Sequence, residues 1–139
     1  NVVNKAFGNM RSEWMHWQNL LSEPWNEQIN GISDWINFYE YGKSMLTSSE
    51  DAKNMALELT KLTANMASFF NVSQDLASIA LKSIYTGETE TLKQYGVVMT
   101  EVNLKQFALE QGITKSYSAM SQSEKVMLRY QYVMSQLSI

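Results

Sequence analysis

His16 is the single histidine of this chain, and there is no cysteine. Zinc and copper sites built on imidazole and thiolate therefore lack their ligands, and a metal would have to rest on carboxylates alone. A nucleophilic triad would depend entirely on His16. That residue falls off the apolar stripe defined by Trp14 and Trp17, so it reads as a surface or flank histidine. Glu88 and Glu90 come nearest to a carboxylate pair suited to acid–base work. At i, i+2 on a helix they do not face each other, and acids at a helix start are explained by the helix dipole. The six glycines are isolated from one another, so no phosphate-cradling loop is written here. The expectation is a non-enzymatic protein with no catalytic residues, no metal and no cofactor.

Trp14, Trp17, Trp25 and Trp35 are the more informative side chains, all within a span of 22 residues. Each can bury about 200 Å², an upper value of roughly 5 kcal/mol apiece. Trp14, Trp17 and Trp25 lie on apolar stripes, and Trp35 falls beside Ile36 at the edge of one. They fit a helix–helix core, a protein interface, or a membrane-surface face, in that order of preference. The membrane reading is weak because the polar faces lack an excess of Lys and Arg. The nine methionines read as adaptable core filler.

The elements that carry these residues are helical. Val3, Phe7, Met10, Trp14, Trp17 and Leu21 are spaced 4-3-4-3-4, one stripe along a helix. Pro24 interrupts after Ser22, and Trp25, Ile29, Ile32, Ile36 and Tyr39 start a second stripe. Two such helices form an antiparallel hairpin. Ser48 to Asp51 reads as a cap followed by first-turn acids. The third helix carries Met55, Leu59, Leu62, Met66 and Phe69, and Asn71 ends it. Ser73 caps a fourth, with Leu76, Ala80 and Ile84 inward and Gly87 closing it. Glu88 to Tyr95 is a two-turn helix closed by Gly96, and Val97 to Met99 is a short apolar, extended stretch. Thr100 caps a helix ending at Gly112, with Leu104, Phe107 and Ala108 inward. Ser121 and Glu124 stand as a capping box before a last helix carrying Val126, Tyr130, Val133 and Leu137. Tyr130 and Tyr132 face different sides of it, which predicts that one of them is exposed.

The fold class predicted is all-α, a multi-helix domain of about six to seven helices. It divides as a Trp-rich hairpin over 1–46 and a helical module over 47–139, with a seam near Lys43–Ser49, or it forms one continuous domain. The chain has 139 residues, enough for a core, with 45% hydrophobic and 18% charged residues and one proline. The net charge of −3 with scattered basic residues argues against nucleic-acid binding. No apolar run reaches the roughly 18–20 residues that span a bilayer. The chain begins at Asn1 without an initiating methionine and is expected to be a segment of a longer protein.

From about Met45 to Met134 the sequence resembles the tail-length tape measure proteins of tailed bacteriophages and prophages. Three stretches carry the resemblance. The first runs from Leu62 through Phe69-Phe70-Asn71-Val72-Ser73 to Ala77. The second is Thr86-Gly87-Glu88-Thr89-Glu90-Thr91-Leu92-Lys93-Gln94-Tyr95-Gly96, followed by Val97 to Thr100. The third is Met120-Ser121-Gln122-Ser123-Glu124-Lys125, with Arg129-Tyr130 after it. The family pattern commonly has a proline where Thr91 stands and an arginine pair where Lys93-Gln94 stand. The first 44 residues match no family pattern.

The resemblance implies a structural virion protein inside the phage tail, made in the bacterial host cytoplasm, whose length sets the length of the tube. Its implied partners are tail-tube, tail-tip and tail-assembly chaperone proteins. The shared residues Ser73, Gly87, Glu88, Glu90, Gly96, Thr100, Ser121 and Glu124 then read as caps and turns. Short helices make a poor extended ruler, so a compact module attached to the ruler is expected. Two other readings remain open: a helical scaffold or adaptor of unrelated origin, and a membrane-active segment aiding genome ejection. The 4-3 spacing is also compatible with a homo-oligomer.

Overall fold

A computed structural model describes the backbone of residues 29–138 and the side chains from Ser33 onward. Trp14, Trp17, Trp25, His16 and the predicted 3–21 helix lie outside the described residues. The fold is all-α, and no strand occurs among the described residues. Helices α1 (Ile29–Met45), α2 (Ser49–Phe70), α3 (Gln74–Leu81), α4 (Ser83–Thr86), α5 (Glu90–Lys93), α6 (Glu101–Glu110) and α7 (Gln122–Gln136) follow in order, with a 3-10 turn at Tyr117–Ala119 before α7.

Helix α2 is the longest helix among the described residues. Ser48 caps it, its Oγ accepting from Asp51 N at 3.2 Å, and Glu50 and Asp51 occupy its first turn. Its buried residues fall on several faces, from Ala52 and Met55 through Leu59, Thr60, Leu62 and Thr63 to Met66. The buried Thr60 and Thr63 hydroxyls donate back to the carbonyls of Ala56 and Leu59, each at 2.7 Å, so no polar atom is stranded there.

Helix α1 packs along α2, joined to it by the short connection at Leu46–Ser48. The two helices approach closely at Gly42: a Cβ there would stand 3.2 Å from Ala52 Cβ. That contact selects the face of α1. Trp35 and Phe38, two turns and one turn before Gly42, are buried, whereas Ile36 and Tyr39 are half-buried and pack on the core from its edge. The predicted stripe through Ile36 and Tyr39 is thus rotated by one residue. Residues of α1 and of every longer helix after it share one hydrophobic core.

The remaining helices are short because the sequence stops each one. Asn71 takes the left-handed conformation (φ 54°) and closes α2. Ser73 caps α3 through Leu76 N at 3.2 Å. The fourth predicted helix is broken at Lys82 into α3 and α4; Ala80 and Ile84 are buried as expected, but Leu76 is 52% exposed and Ala77 takes the inward place. Phe69 is likewise 67% exposed, because the adjacent Phe70 turns in and meets Tyr95 edge to face at 5.0 Å.

The two-turn helix expected over Glu88–Tyr95 is a single turn, α5. Glu88 folds its carboxylate onto the N–H of Glu90 at 2.8 Å and so stays outside the helix. Gly96, at φ 83°, ends the turn, and Val97 N returns to Leu92 O at 3.2 Å. Val97 to Met99 lies outside any helix, with Val97 and Met99 buried and Val98 exposed. Thr100 caps α6 through Asn103 N at 3.2 Å, and Leu104, Phe107 and Ala108 point inward. In α7 the inward tyrosine is Tyr132, whose hydroxyl donates to Val98 O at 2.8 Å. Tyr130 is half-buried rather than central or fully exposed.

Candidate functional site

The most elaborate polar arrangement joins α4 to α7. Helix α4 ends with the carbonyls of Ile84 and Tyr85 buried and, as at any helix end, in need of donors. Arg129, from the middle of α7, supplies them: Nε donates to Ile84 O at 2.6 Å and Nη2 to Tyr85 O at 3.1 Å. Nη1 donates to the Tyr117 hydroxyl at 3.0 Å. Arg129 is only 6% exposed. Three hydrogen bonds and the negative ends of the α4 carbonyl dipoles hold its charge.

Gly87 completes this clasp. It turns the chain out of α4 at φ +80°, where a side chain would be strained, and a Cβ would stand 3.4 Å from Arg129 Nη1. The hydroxyls of Ser83 and Thr91 are hydrogen-bonded across the same corner, tying α4 to the chain after Gly87.

The start of α7 is fixed separately. Ser121 and Glu124 form a complete capping box: Glu124 N donates to Ser121 Oγ at 3.2 Å, and Ser121 N donates to Glu124 Oε1 at 3.0 Å. Lys115 adds a 2.8 Å ion pair to the same oxygen. The Lys115 hydrogen bond, with those from Ser121, holds the Glu124 carboxyl down at about 2. Lys125 lies over the Tyr117 ring, 5.1 Å from its centre.

The predicted site residues are therefore placed as follows. Ser73, Thr100 and Ser121 cap helices, Gly87 and Gly96 take left-handed turns, and Glu124 closes the capping box. Glu88 and Glu90 are exposed and joined by a carboxylate-to-backbone bond, an arrangement that orders a turn and leaves neither side chain facing the other across a cleft. Trp35, offered as an interface residue, is fully buried and stacks on Tyr39 with centroids 5.8 Å apart; it is a core residue. Trp14, Trp17 and Trp25 lie outside the described residues. Arg129 received no structural role from the sequence, because an arginine, even between Leu128 and Tyr130, carries no spacing signal of burial.

A second feature involves α1. Asp34 of α1 is 8% exposed, and burial, then the neighbouring Asp75, push its carboxyl up to about 6 against the opposing pull of Lys82. Tyr85, stacked between Phe38 and Tyr41, has its phenol pushed up by burial and by Tyr130. Hollows also lie on the described surface. One of about 320 Å³ lies between α6 and the Ile113–Tyr117 loop, with Leu109 and Ile113 against Lys105 and Lys115. One of about 280 Å³ lies between α2 and the end of α7. Asp34 lines neither. Among the described residues no group of three or more His, Cys, Asp or Glu is gathered as a metal site, and no helix is long and apolar enough to cross a membrane.

Comparison with known proteins gives no match to a family model, to a curated protein or to a solved structure. The geometry defines the class as an all-α domain whose polar machinery serves helix ends.

Proposed function

We propose that this chain is a compact, non-enzymatic folding module of a phage or prophage tape measure protein, attached to the extended ruler rather than forming it. One observation carries the reading. Two of the stretches that resemble that family, Thr86–Gly96 and Met120–Tyr130, meet at the Arg129–Gly87 clasp. Residues shared with a family of otherwise extended chains are here spent on folding short helices back on one another. The partners of such a module are tail-tip, tail-tube or assembly-chaperone proteins, in the virion or in the host cytoplasm during assembly. A helical adaptor of other origin is the second reading, favoured by exposed apolar side chains such as Leu76, Ile79 and Leu109.

Deleting residues 29–138 in frame from the parent phage, and measuring tails by electron microscopy, tests the proposal. Tails of unchanged length but reduced number are the expected result. Shortening by about 1.5 Å per deleted residue, roughly 165 Å in all, would make the segment part of the ruler. Normal tails in normal number would leave the adaptor reading standing instead.

A further inference from the structure

Helix α6 carries apolar side chains on two sides. Leu104, Phe107 and Ala108 are buried, while Val102 (74% exposed) and Leu109 (67% exposed) stand two turns apart on its outer side. Beside Leu109 the surface falls into the hollow of about 320 Å³ walled by Leu109, Ile113 and Tyr117, a volume that can seat a small ligand group. Cations gather on it. Lys105 and Lys115 line it, Lys125 Nζ stands 5.1 Å from the centre of the Tyr117 ring, and Arg129 donates to the Tyr117 hydroxyl at 3.0 Å. These are four of the chain's eleven basic residues. Two carboxylates answer them, Glu101 at 3.3 Å from Lys105 and Glu124 at 2.8 Å from Lys115. Glu110, the other acid of α6, accepts from Gln106 at 3.3 Å, and neither lines the hollow. The corner is net positive in a chain whose net charge is −3.

We propose that this hollow docks an acidic, apolar segment of a partner protein: an apolar side chain seats against Leu109 and Ile113, and a neighbouring carboxylate bonds Lys105 or Lys115 at the rim. The walls call for an apolar group, and the excess of positive charge selects an anionic one. Each ammonium carries three donors, and its pairing with Glu101 or Glu124 engages one of them. Exposed pairs of this kind are also weak and open to exchange. A ligand that covers both Leu109 and Val102 must run about 10 Å along α6, seven residues at about 1.5 Å each. That span suits a stretch of polypeptide better than a compact small molecule. The docking role rests on the proposed function, a module that engages other proteins. Tail counts after deletion test that reading and binding in solution tests the partner's chemistry, so either can fail alone.

The test is an NMR titration of the whole chain with two acetylated, amidated octapeptides, Asp-Glu-Leu-Leu-Glu-Phe-Leu-Asp and its counterpart with lysine in place of each acid. The acidic peptide should shift the Leu109 and Ile113 methyls and the Tyr117 ring saturably, and bind at least about tenfold more tightly than the basic one. Raising sodium chloride from about 20 to about 300 mM should weaken it about fivefold. Leu109→Ser and Lys105→Glu, both at exposed positions, should each weaken it about tenfold and leave the resonances of the core in place. Equal binding of the two peptides, no saturable shift up to millimolar peptide, or shifts centred on another surface such as Leu76 and Ile79 would each overturn the proposal. Binding of phosphatidylcholine–phosphatidylglycerol vesicles through Leu109, with no response to the acidic peptide, would overturn it too, by making the hollow a membrane contact.

Discussion

Replacing Arg129 by methionine isolates what the clasp contributes. Methionine fills much of the arginine stem but donates nothing, so the carbonyls of Ile84 and Tyr85 lose their charged donors at 2.6 and 3.1 Å. A buried acceptor left without a partner costs about 1–3 kcal/mol, so the pair costs about 2–6 kcal/mol. Some of this returns, because a guanidinium held by neutral carbonyls bears part of its own desolvation cost. The net expectation is about 3 kcal/mol, a large share of the 5–15 kcal/mol typical of a domain. Thermal unfolding followed by circular dichroism should show Arg129→Met melting roughly 10–20 °C below the wild type. Arg129→Lys should fall between them, since an ammonium lacks the planar fork that serves both carbonyls. Buried ion pairs can be replaced by apolar groups at no loss, but there both charges leave; here the carbonyls stay. Melting of Arg129→Met within 3 °C of the wild type, or above it, would refute the clasp.

Two further measurements bear on the packing and the caps. Met66→Ala, at a fully buried site of α2, should cost about 2–5 kcal/mol in denaturant unfolding, while Phe69→Ser, one turn later on the predicted stripe, should change stability by no more than about 0.5 kcal/mol. Glu124 titrates near 2, below its ordinary value of 4.5, so its contribution is present above pH 4.5 and lost as the pH falls through 2. Lys115→Ala, which removes the largest cause, should move the Glu124 carboxyl resonance titration upward; an unmoved midpoint would leave the Ser121 box as the whole cause.

The helix ends were legible in the sequence because their chemistry is local. Ser48, Ser73, Thr100 and Ser121 each bond an amide three residues on, and Asn71, Gly87 and Gly96 each supply the left-handed turn that few other residues accept. Helix phase was less legible, because it is settled between elements. The face of α1 follows from Gly42 meeting Ala52, and a glycine adds nothing to a hydrophobic stripe. Phe69 and Phe70 are equally apolar, and only the position of Tyr95, reached through two turns, decides which one is inward. The α4–α7 clasp was invisible for the same reason, since Arg129 and Ile84 are 45 residues apart.

That separation also sets the order in which the molecule is completed as it is made. At about 5–20 residues per second on the ribosome, Arg129 is added roughly 2–9 s after the carbonyls it will hold. Closing a loop of that length costs about 3 kcal/mol of chain entropy, which the clasp and the α7 core residues must offset together. Until Arg129 is added, the carbonyls of Ile84 and Tyr85 have no guanidinium to accept from. A transcript stopped before Ser121 encodes every earlier helix and still lacks the piece that locks them.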